Sequence, residues 1–427
     1  MGQPGAAARR SLVDLLGLKR EVAVLLAMVV LVGLGEKMAE RFLPLYLIAL
    51  GGGAFSVGVL NGLDNLLSAL YSFPGGYAAE RLGTRAALML FNLLAMLGYV
   101  VVILIPTWQA VILGSFLFIS WTAISLPATM ELVATVLPMN RRTMGVSMHS
   151  LVRRIPMALG PVLGGAAIGW LGEVQGVRLA FGAALGLAGV SLLLQRAMLS
   201  GSSGAKPAAL RPQPGGGLLT PQLRRLLASD ILVRFCEQIP YAFVVIWAVQ
   251  LNGITPLQFG WLTAIEMATA VLIYIPVAYL ADRSTKKPFV LATFGFFTLF
   301  PLLLLVSHSF AMLAVAFVVR GLKEFGEPTR KALIMDLAPE GRKAGAFGLY
   351  YLVRDVVVSL AAFGGALLWD AGAAEQLVRL LGIGAGLLPF FERLASPTTN
   401  LLVAAGFGAI GTLLFGLFGR DLASEAT

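Results

Sequence analysis

Long apolar stretches alternate with short polar ones from one end of the chain to the other. Runs such as Val22–Val32, Ala87–Ile105 and Val290–Val306 contain no charged residue. A bilayer crossing takes about 20 mostly apolar residues as helix, and an open chain can cross only as helix because its backbone must satisfy itself. Read on that length, the pattern predicts about twelve spanning helices. Helices 1 to 6 cover about 21–49, 57–79, 86–106, 109–137, 145–171 and 179–198. Helices 7 to 12 cover about 226–250, 258–281, 288–307, 310–337, 345–370 and 399–419. The expected organisation is a tail (1–20), a six-helix bundle (21–198), a linker (199–225), a second six-helix bundle (226–419) and a short tail (420–427). Within the linker, Gly201–Gly217 is rich in Gly, Ser and Pro and reads as flexible. Residues 372–398 are an external insertion too long for a turn; Leu377, Leu380, Leu381 and Leu387-Leu388 give it the pattern of an amphipathic helix on the outer surface, read as a spacer or a lid.

The polar positions repeat as well. Glu36 recurs about 200 residues later as Glu237, Asp64 as Glu266 and Arg154 as Arg354. A soluble duplication would keep apolar core positions. Here ionisable groups are kept inside apolar segments, which points to two pseudo-symmetric bundles lining one polar path. The fold class expected is therefore an all-α membrane protein of two related six-helix bundles.

Composition agrees. The chain is 58% hydrophobic and 13% charged, about half the charge of an ordinary soluble domain. Its net charge of +10 is distributed by loop. Arg9, Arg10, Lys19 and Arg20 crowd the amino terminus, and alternate loops hold Arg81/Arg85, Arg141/Arg142, Lys206/Arg211/Arg224/Arg225, Arg283/Lys286/Lys287 and Arg342/Lys343. The intervening loops hold little more than Arg178, Arg379 and Arg393. This asymmetry predicts that both termini are cytoplasmic, so the basic charge reads as topology and no nucleic-acid partner is expected. Cys236 is the only cysteine and His149 and His308 the only histidines; an intrachain disulfide is excluded and a metal cluster is not expected. No cleavable signal is read in Met1–Arg20.

Between helices 2 and 3 stands Gly76-Tyr-Ala-Ala-Glu80-Arg81-Leu-Gly83-Thr84-Arg85, and the second half repeats it as Ala278-Tyr-Leu-Ala-Asp282-Arg283-Ser-Thr-Lys286-Lys287. This resembles the loop signature of the major facilitator superfamily (MFS), in the two loops where that family carries it. Glu80 replaces the usual Asp, Thr84 stands at a usually basic position, and Ser120 replaces the helix-4 arginine, whose counterpart in helix 10 is Arg320. Gly160-Pro161-Val-Leu-Gly164-Gly165 in helix 5 is similar to an element of the drug–proton antiporter branch. The resemblance implies alternating access, with Gly76, Glu80, Arg81, Gly83, Arg85, Asp282 and Arg283 as gating loops. A loop carboxylate there can meet a helix amino terminus, worth about 0.3–1 kcal/mol. Gly160, Pro161, Gly164 and Gly165 are expected to serve close helix packing.

Charges at bilayer depth cost about 2.5–3.5 kcal/mol each on the insertion scale and are functional candidates with partners. Glu36 lies about 22 Å from the cytoplasmic end of helix 1 and Asp64 about 10 Å from the outer end of helix 2, a similar depth. If their faces meet, two carboxylates share one dry region and can hold a proton between them. Glu36, Asp64, Arg154, Glu237, Glu266 and Arg354 form the expected coupling and cavity set. Lys37, Glu40, Arg41, Glu131, Asp230, Arg234, Arg320, Lys323, Glu324, Glu327 and Asp355 are read either as substrate lining or as structural ion pairs. Asp230, Arg234 and Glu237 share one helix face by spacing. His149 reads as a relay or as a hydrogen-bond partner, and Tyr241, Trp247, Tyr350 and Tyr351 as pocket lining or packing.

The function expected is a proton-coupled secondary transporter exporting small amphipathic or toxic compounds. Import of a charged or zwitterionic solute, such as a metabolite or siderophore, is the second reading, and a non-transporting receptor or scaffold the third. No phosphate-binding Gly-x-x-x-x-Gly-Lys-Ser/Thr motif and no Gly-x-Ser-x-Gly elbow occurs, so neither direct ATP drive nor a hydrolase is expected. The partners expected are lipid, a small solute and protons, with the gradient in place of a cofactor, in a monomer of the cytoplasmic membrane.

Overall fold

A computed structural model describes residues 20–82, 84–119, 152–198, 218–281, 285–339, 343–382, 386 and 388–419. Every regular element in these stretches is helical. The elements are α1 (Arg20–Glu40), α2 (Leu43–Ala49), α3 (Gly53–Leu82), α4 (Thr84–Leu104), α5 (Trp108–Ile119) and α6 (Arg154–Met198) in the first half. The second half holds α7 (Pro221–Tyr241), α8 (Val244–Ile246), α9 (Pro256–Ala281), α10 (Lys287–Val306), α11 (Phe310–Leu322), α12 (Glu327–Leu337), α13 (Lys343–Trp369), α14 (Ala371–Leu381), α15 (Leu388–Leu394) and α16 (Pro397–Phe418). These compose twelve spans in two six-helix bundles. Six described helices are long and apolar enough to cross a bilayer alone, and the α7–α8 pair makes a seventh. The α6 stretch serves as predicted helices 5 and 6, reversing at Gly172, whose φ of 78° and ψ of 172° favour glycine.

Three of the predicted helices are broken, and the breaks carry charged or polar candidates. Helix 1 is interrupted at Arg41–Phe42, between α1 and α2; Pro44 stands in the first turn of α2, where its missing N–H costs nothing. Helix 7 bends by 44° after Pro240–Tyr241 and ends in a π-helical turn, Trp247–Leu251. Helix 10 opens at Lys323–Gly326, between α11 and α12. A Cβ on Gly326 would meet the backbone of Phe289, and Pro328 follows in the first turn of α12. Discontinuous spans place backbone and side chains at mid-membrane where a solute can reach them.

Two other bounds differ from the sequence pattern. Helix 7 starts at Pro221, because Thr220 caps it by accepting from Leu223 N at 3.1 Å. Gly76, Glu80 and Arg81 continue helix α3, and Arg85 lies in the first turn of α4. The helix thus runs on past its expected end at residue 79 to Leu82, through Pro74-Gly75-Gly76. Gly83, Asp282 and Arg283 themselves lie outside the described residues, as do Glu131 and His149.

The halves meet along two helix pairs, α6 with α9 and α3 with α13. Glycines make both approaches close. A Cβ on Gly165 would strike the Pro256 carbonyl, one on Gly260 the Pro161 carbonyl, and one on Gly58 or Gly62 the Ala366 or Phe363 side chain. At the end bearing Gly51–Gly53 and Asn252–Thr255, one buried core draws on both halves. It joins Leu45, Tyr46 and Leu47 to Phe243, Ile246, Phe259 and Trp369, and Phe243 stacks on Trp369 at 4.7 Å. At the other end, the buried cluster around Leu226, Val290, Leu333 and Phe415 consists of second-half residues among those described. The 372–398 insertion forms α14 and α15; Ala373 and Ala374 are buried, while Leu380, Leu381 and Phe390 are exposed.

Candidate functional site

A cavity of about 150 Å³ lies between the halves. Glu36, Lys37 and Glu40 reach it from α1, Asp64 and Ser68 from α3, and Tyr241 and Arg320 from the second half. Its apolar wall includes Tyr99, Phe118 and Phe181, whose ring centroids lie 5.7–5.9 Å apart, with Phe259 beside them.

The cavity's charges fall into two kinds. Lys37 is held by Glu36 at 3.2 Å and by Glu40, and Arg320 by Glu266 at 3.2 Å. Arg41 and Asp64 differ. Arg41 donates from Nη1 to the Tyr241 hydroxyl at 2.9 Å and its guanidinium lies 5.2 Å from that ring; among the described residues it forms no ion pair. Asp64, among the same residues, forms neither an ion pair nor a hydrogen bond, though Glu36, Lys37, Glu40 and Arg41 all act on it electrostatically. The Tyr241 ring also faces Arg320, at 5.4 Å, so it contacts one guanidinium from each half. Such contacts are worth about 0.5–2 kcal/mol.

From the cavity a ladder of ion pairs runs through the second half. Glu266 meets Lys323 at 3.4 Å, Lys323 meets Glu237 at 2.7 Å, and Glu237 meets Arg234 at 2.7 Å. Arg234 continues to Glu327 at 3.3 Å and Asp230 at 3.9 Å. Arg330, 1% exposed, joins Asp230 to Glu327. Tyr350 donates to Asp230 at 2.9 Å, and Arg354 lies 3.6 Å from Asp230 and 2.7 Å from Asp355. Besides the Arg41–Tyr241 bond, further polar contacts tie the halves together. Arg154 Nη2 donates to Glu324 Oε2 at 2.9 Å, and Asn65 Nδ2 donates to Gln238 Oε1 at 3.2 Å.

The six duplicated candidates are thus distributed. Glu36 and Asp64 line the cavity, and Glu237 lines a small satellite of about 10 Å³ together with Lys323 and Phe297. Glu266, Arg154 and Arg354 sit in ion pairs outside the main cavity wall. Lys37, Glu40, Arg41 and Arg320 join the wall, while Asp230, Arg234, Lys323, Glu324, Glu327 and Asp355 belong to the ladder or the bridge between halves. Gly160 and Gly164 press on the Lys37 and Met38 backbone, so they hold α1 and α6 in contact. Asn61, Asn65, Gln238 and Tyr99 have no place among the candidates read from sequence. Asn61, Asp64 and Asn65 lie within one turn, and that polar cluster in an apolar segment was the available signal.

The profile of the Major Facilitator Superfamily matches residues 25–251 and 226–421. The chain belongs to that superfamily. It is a multi-pass membrane transporter rather than an enzyme, acting on a small-molecule substrate. Transporters of this superfamily typically need no cofactor, and the described residues contain no His, Cys, Asp or Glu group that could hold a metal ion. No curated protein sequence matches the chain. Solved structures share its fold at low identity. A bacterial homolog of the human lysosomal transporter Spinster, inward-facing and unoccupied, aligns with TM-score 0.70 and 14% identity over 94% of this chain and 96% of that one. The nucleoside transporter NupG, in a mutant form, aligns with TM-score 0.73 and 12% identity over 93% and 100%. A POT family transporter bound to a thioalcohol-conjugated peptide aligns with TM-score 0.71 and 14% identity over 93% and 96%.

Proposed function

We propose that this transporter is a proton-coupled secondary carrier in which Asp64 loads and releases the proton. The observation that carries this reading is the difference between Asp64 and the other acidic groups. Protonating Glu237 breaks pairs with Lys323 and Arg234, whereas protonating Asp64 breaks none among the described residues. The neighbouring triad Glu36–Lys37–Glu40 keeps further carboxylates within reach of a shared proton.

Alternating access is supported by the packing of one end. The end bearing Gly51–Gly53 is packed by both halves, and the basic-loop asymmetry makes that end external, with both termini cytoplasmic. On this reading the protein is a monomer of a cytoplasmic membrane, packed shut at its outer end. One carboxylate that accepts either a proton or a cationic solute group gives exchange, which an inward proton gradient turns into export. The ring-lined wall suits a small amphipathic body, and the Gly160–Gly165 element is similar to that of drug–proton antiporters. Import of a charged or zwitterionic solute is the second reading, favoured by the cation Arg41 in the same cavity.

The test is transport in vesicles, with a substrate found by thermal-shift screening of the purified protein. In inside-out vesicles an acidified lumen should drive uptake by an exporter. Asp64→Asn should abolish that uphill step and weaken exchange of a cationic substrate, while the purified variant folds and melts like the parent. Normal uphill transport by Asp64→Asn removes Asp64 from the coupling role, and drive only in right-side-out vesicles makes the carrier an importer.

A further inference from the structure

We propose that the cavity takes a small zwitterion, binding an ammonium group at Asp64 and a carboxylate at Arg41 with its apolar body against the Tyr99–Phe118–Phe181 wall. This rests on the reading of the cavity as the transport site, and it names both poles of the solute. The dense pairing of the other cavity charges argues for it. Lys37 is engaged by Glu36 and Glu40, and Arg320 by Glu266. Of the charged groups lining the same cavity, Arg41 and Asp64 are the two of opposite sign without an ion pair among the described residues. A charge at membrane depth is costly without a partner, and here a solute carrying both signs supplies both partners at once.

The setting of Arg41 fits carboxylate binding. A guanidinium has five N–H donors in a fixed fork, and one described hydrogen bond, from Nη1 to the Tyr241 hydroxyl at 2.9 Å, engages it. That bond and the ring contact at 5.2 Å fix the plane of the fork and leave donors for a carboxylate, which guanidinium binds in two-point fashion. Tyr241 is a positioning residue in this scheme. A solute with only a positive charge would occupy Asp64 but leave Arg41 facing it unanswered, and a solute with only a negative charge would do the reverse. Size is bounded too. The cavity of about 150 Å³ is comparable to an engineered one that holds benzene, so the apolar body is short.

Binding at fixed pH and without any gradient tests this on the full-length purified protein. The probes are matched sets, each an amino acid, its amide and its N-acetyl form, built on alanine, leucine and phenylalanine. In at least one set the zwitterion should bind tenfold or more tighter than both single-charge forms. Arg41→Gln should erase its advantage over the amide, Asp64→Asn its advantage over the N-acetyl form, and Arg41→Lys should keep part of the first. Failure of every zwitterion to bind, equal binding of an amide, or an advantage that survives Arg41→Gln overturns the proposal. Proton coupling is judged separately. Proton-driven uphill transport lost in Asp64→Asn, with no zwitterion preference, sinks the substrate class alone; zwitterion preference without proton drive sinks the coupling alone.

Discussion

Arg41 and Tyr241 stand 200 residues apart in the chain, and Arg41 Nη1 lies 2.9 Å from the Tyr241 hydroxyl. Glu36 recurs 201 residues on as Glu237 and Arg154 200 residues on as Arg354, so Arg41 and Tyr241 stand within one position of equivalence. Equivalent positions of two related bundles can touch only near the axis that relates them. The contact therefore marks the centre of the molecule, and each partner stands where its helix breaks or bends. A tyrosine and an arginine in equivalent places allow a direct bond, where two arginines would repel.

Tyr241→Phe keeps the ring and removes the acceptor. A hydrogen bond to a charged group contributes about 1.5–3 kcal/mol, so the variant should unfold more readily by about that amount in a thermal or denaturant titration of the purified protein. Tyr241→Ala also removes the contacts to Arg41 and Arg320 and should cost more. Equal stability of Tyr241→Phe and the parent would mean that the hydroxyl does not hold Arg41.

Arg154 and Glu324, 2.9 Å apart and 16% and 25% exposed, join helix 5 to the break in helix 10 across the two halves. The double-mutant cycle with Arg154→Gln and Glu324→Gln should show a coupling of about 0.5–3 kcal/mol. Thermal unfolding of the four proteins measures it. Additive effects would make the bridge incidental.

Neighbours on one helix face are legible in the sequence, whereas contacts that cross the fold are not. The Asp230–Arg234–Glu237 face is set by helical spacing alone, and all three side chains do meet in one ladder. Arg154–Glu324 and Asn65–Gln238 span 170 and 173 residues, and no periodicity encodes such pairs. The break in helix 10 had a marker, Gly326-Glu327-Pro328, that spanning-length hydropathy overrides. Helix 1 had its own marker, Pro44, which inside a helix removes the bond to residue 40 and breaks or kinks the preceding turn; the break at Arg41–Phe42 lies in that turn.

Small residues set how closely the halves and helices approach. A Cβ on Gly164 would collide with the Met38 carbonyl and one on Gly165 with the Pro256 carbonyl, while Gly169 and Gly182 face open space. Overpacking typically costs about 1–3 kcal/mol, and backbone offers little room to yield. Gly164→Ala and Gly165→Ala should therefore reduce the yield of folded protein and lower Tm, whereas Gly169→Ala and Gly182→Ala should match the parent. Size-exclusion profiles and melting curves of the four variants provide the comparison.

Cys236 is 1% exposed and its thiol donates to the Phe297 carbonyl at 3.2 Å, beneath Gly408 of α16. A thiol this enclosed reacts only when the surrounding helices open. Maleimide labelling of the native protein should be slow and should accelerate sharply through the unfolding transition. Rapid labelling at low temperature would show that α7 and α16 do not pack as described.

Asp64 and Glu266 occupy equivalent places in the repeat, yet their surroundings separate them. Glu266 is 1% exposed and sits 3.2 Å from Arg320 and 3.4 Å from Lys323; Asp64 lines the cavity with no ion pair among the described residues. Removing one partner of a buried pair strands the other charge and typically costs about 3–5 kcal/mol. Glu266→Gln should thus lose stability first, with transport falling because less protein folds. Asp64→Asn strands nothing described and should fold and melt like the parent while losing uphill transport. Measuring Tm and transport per folded molecule for both variants separates the two fates. The reverse result, a stable Glu266→Gln that cannot concentrate substrate beside an active Asp64→Asn, would move the coupling carboxylate into the second half.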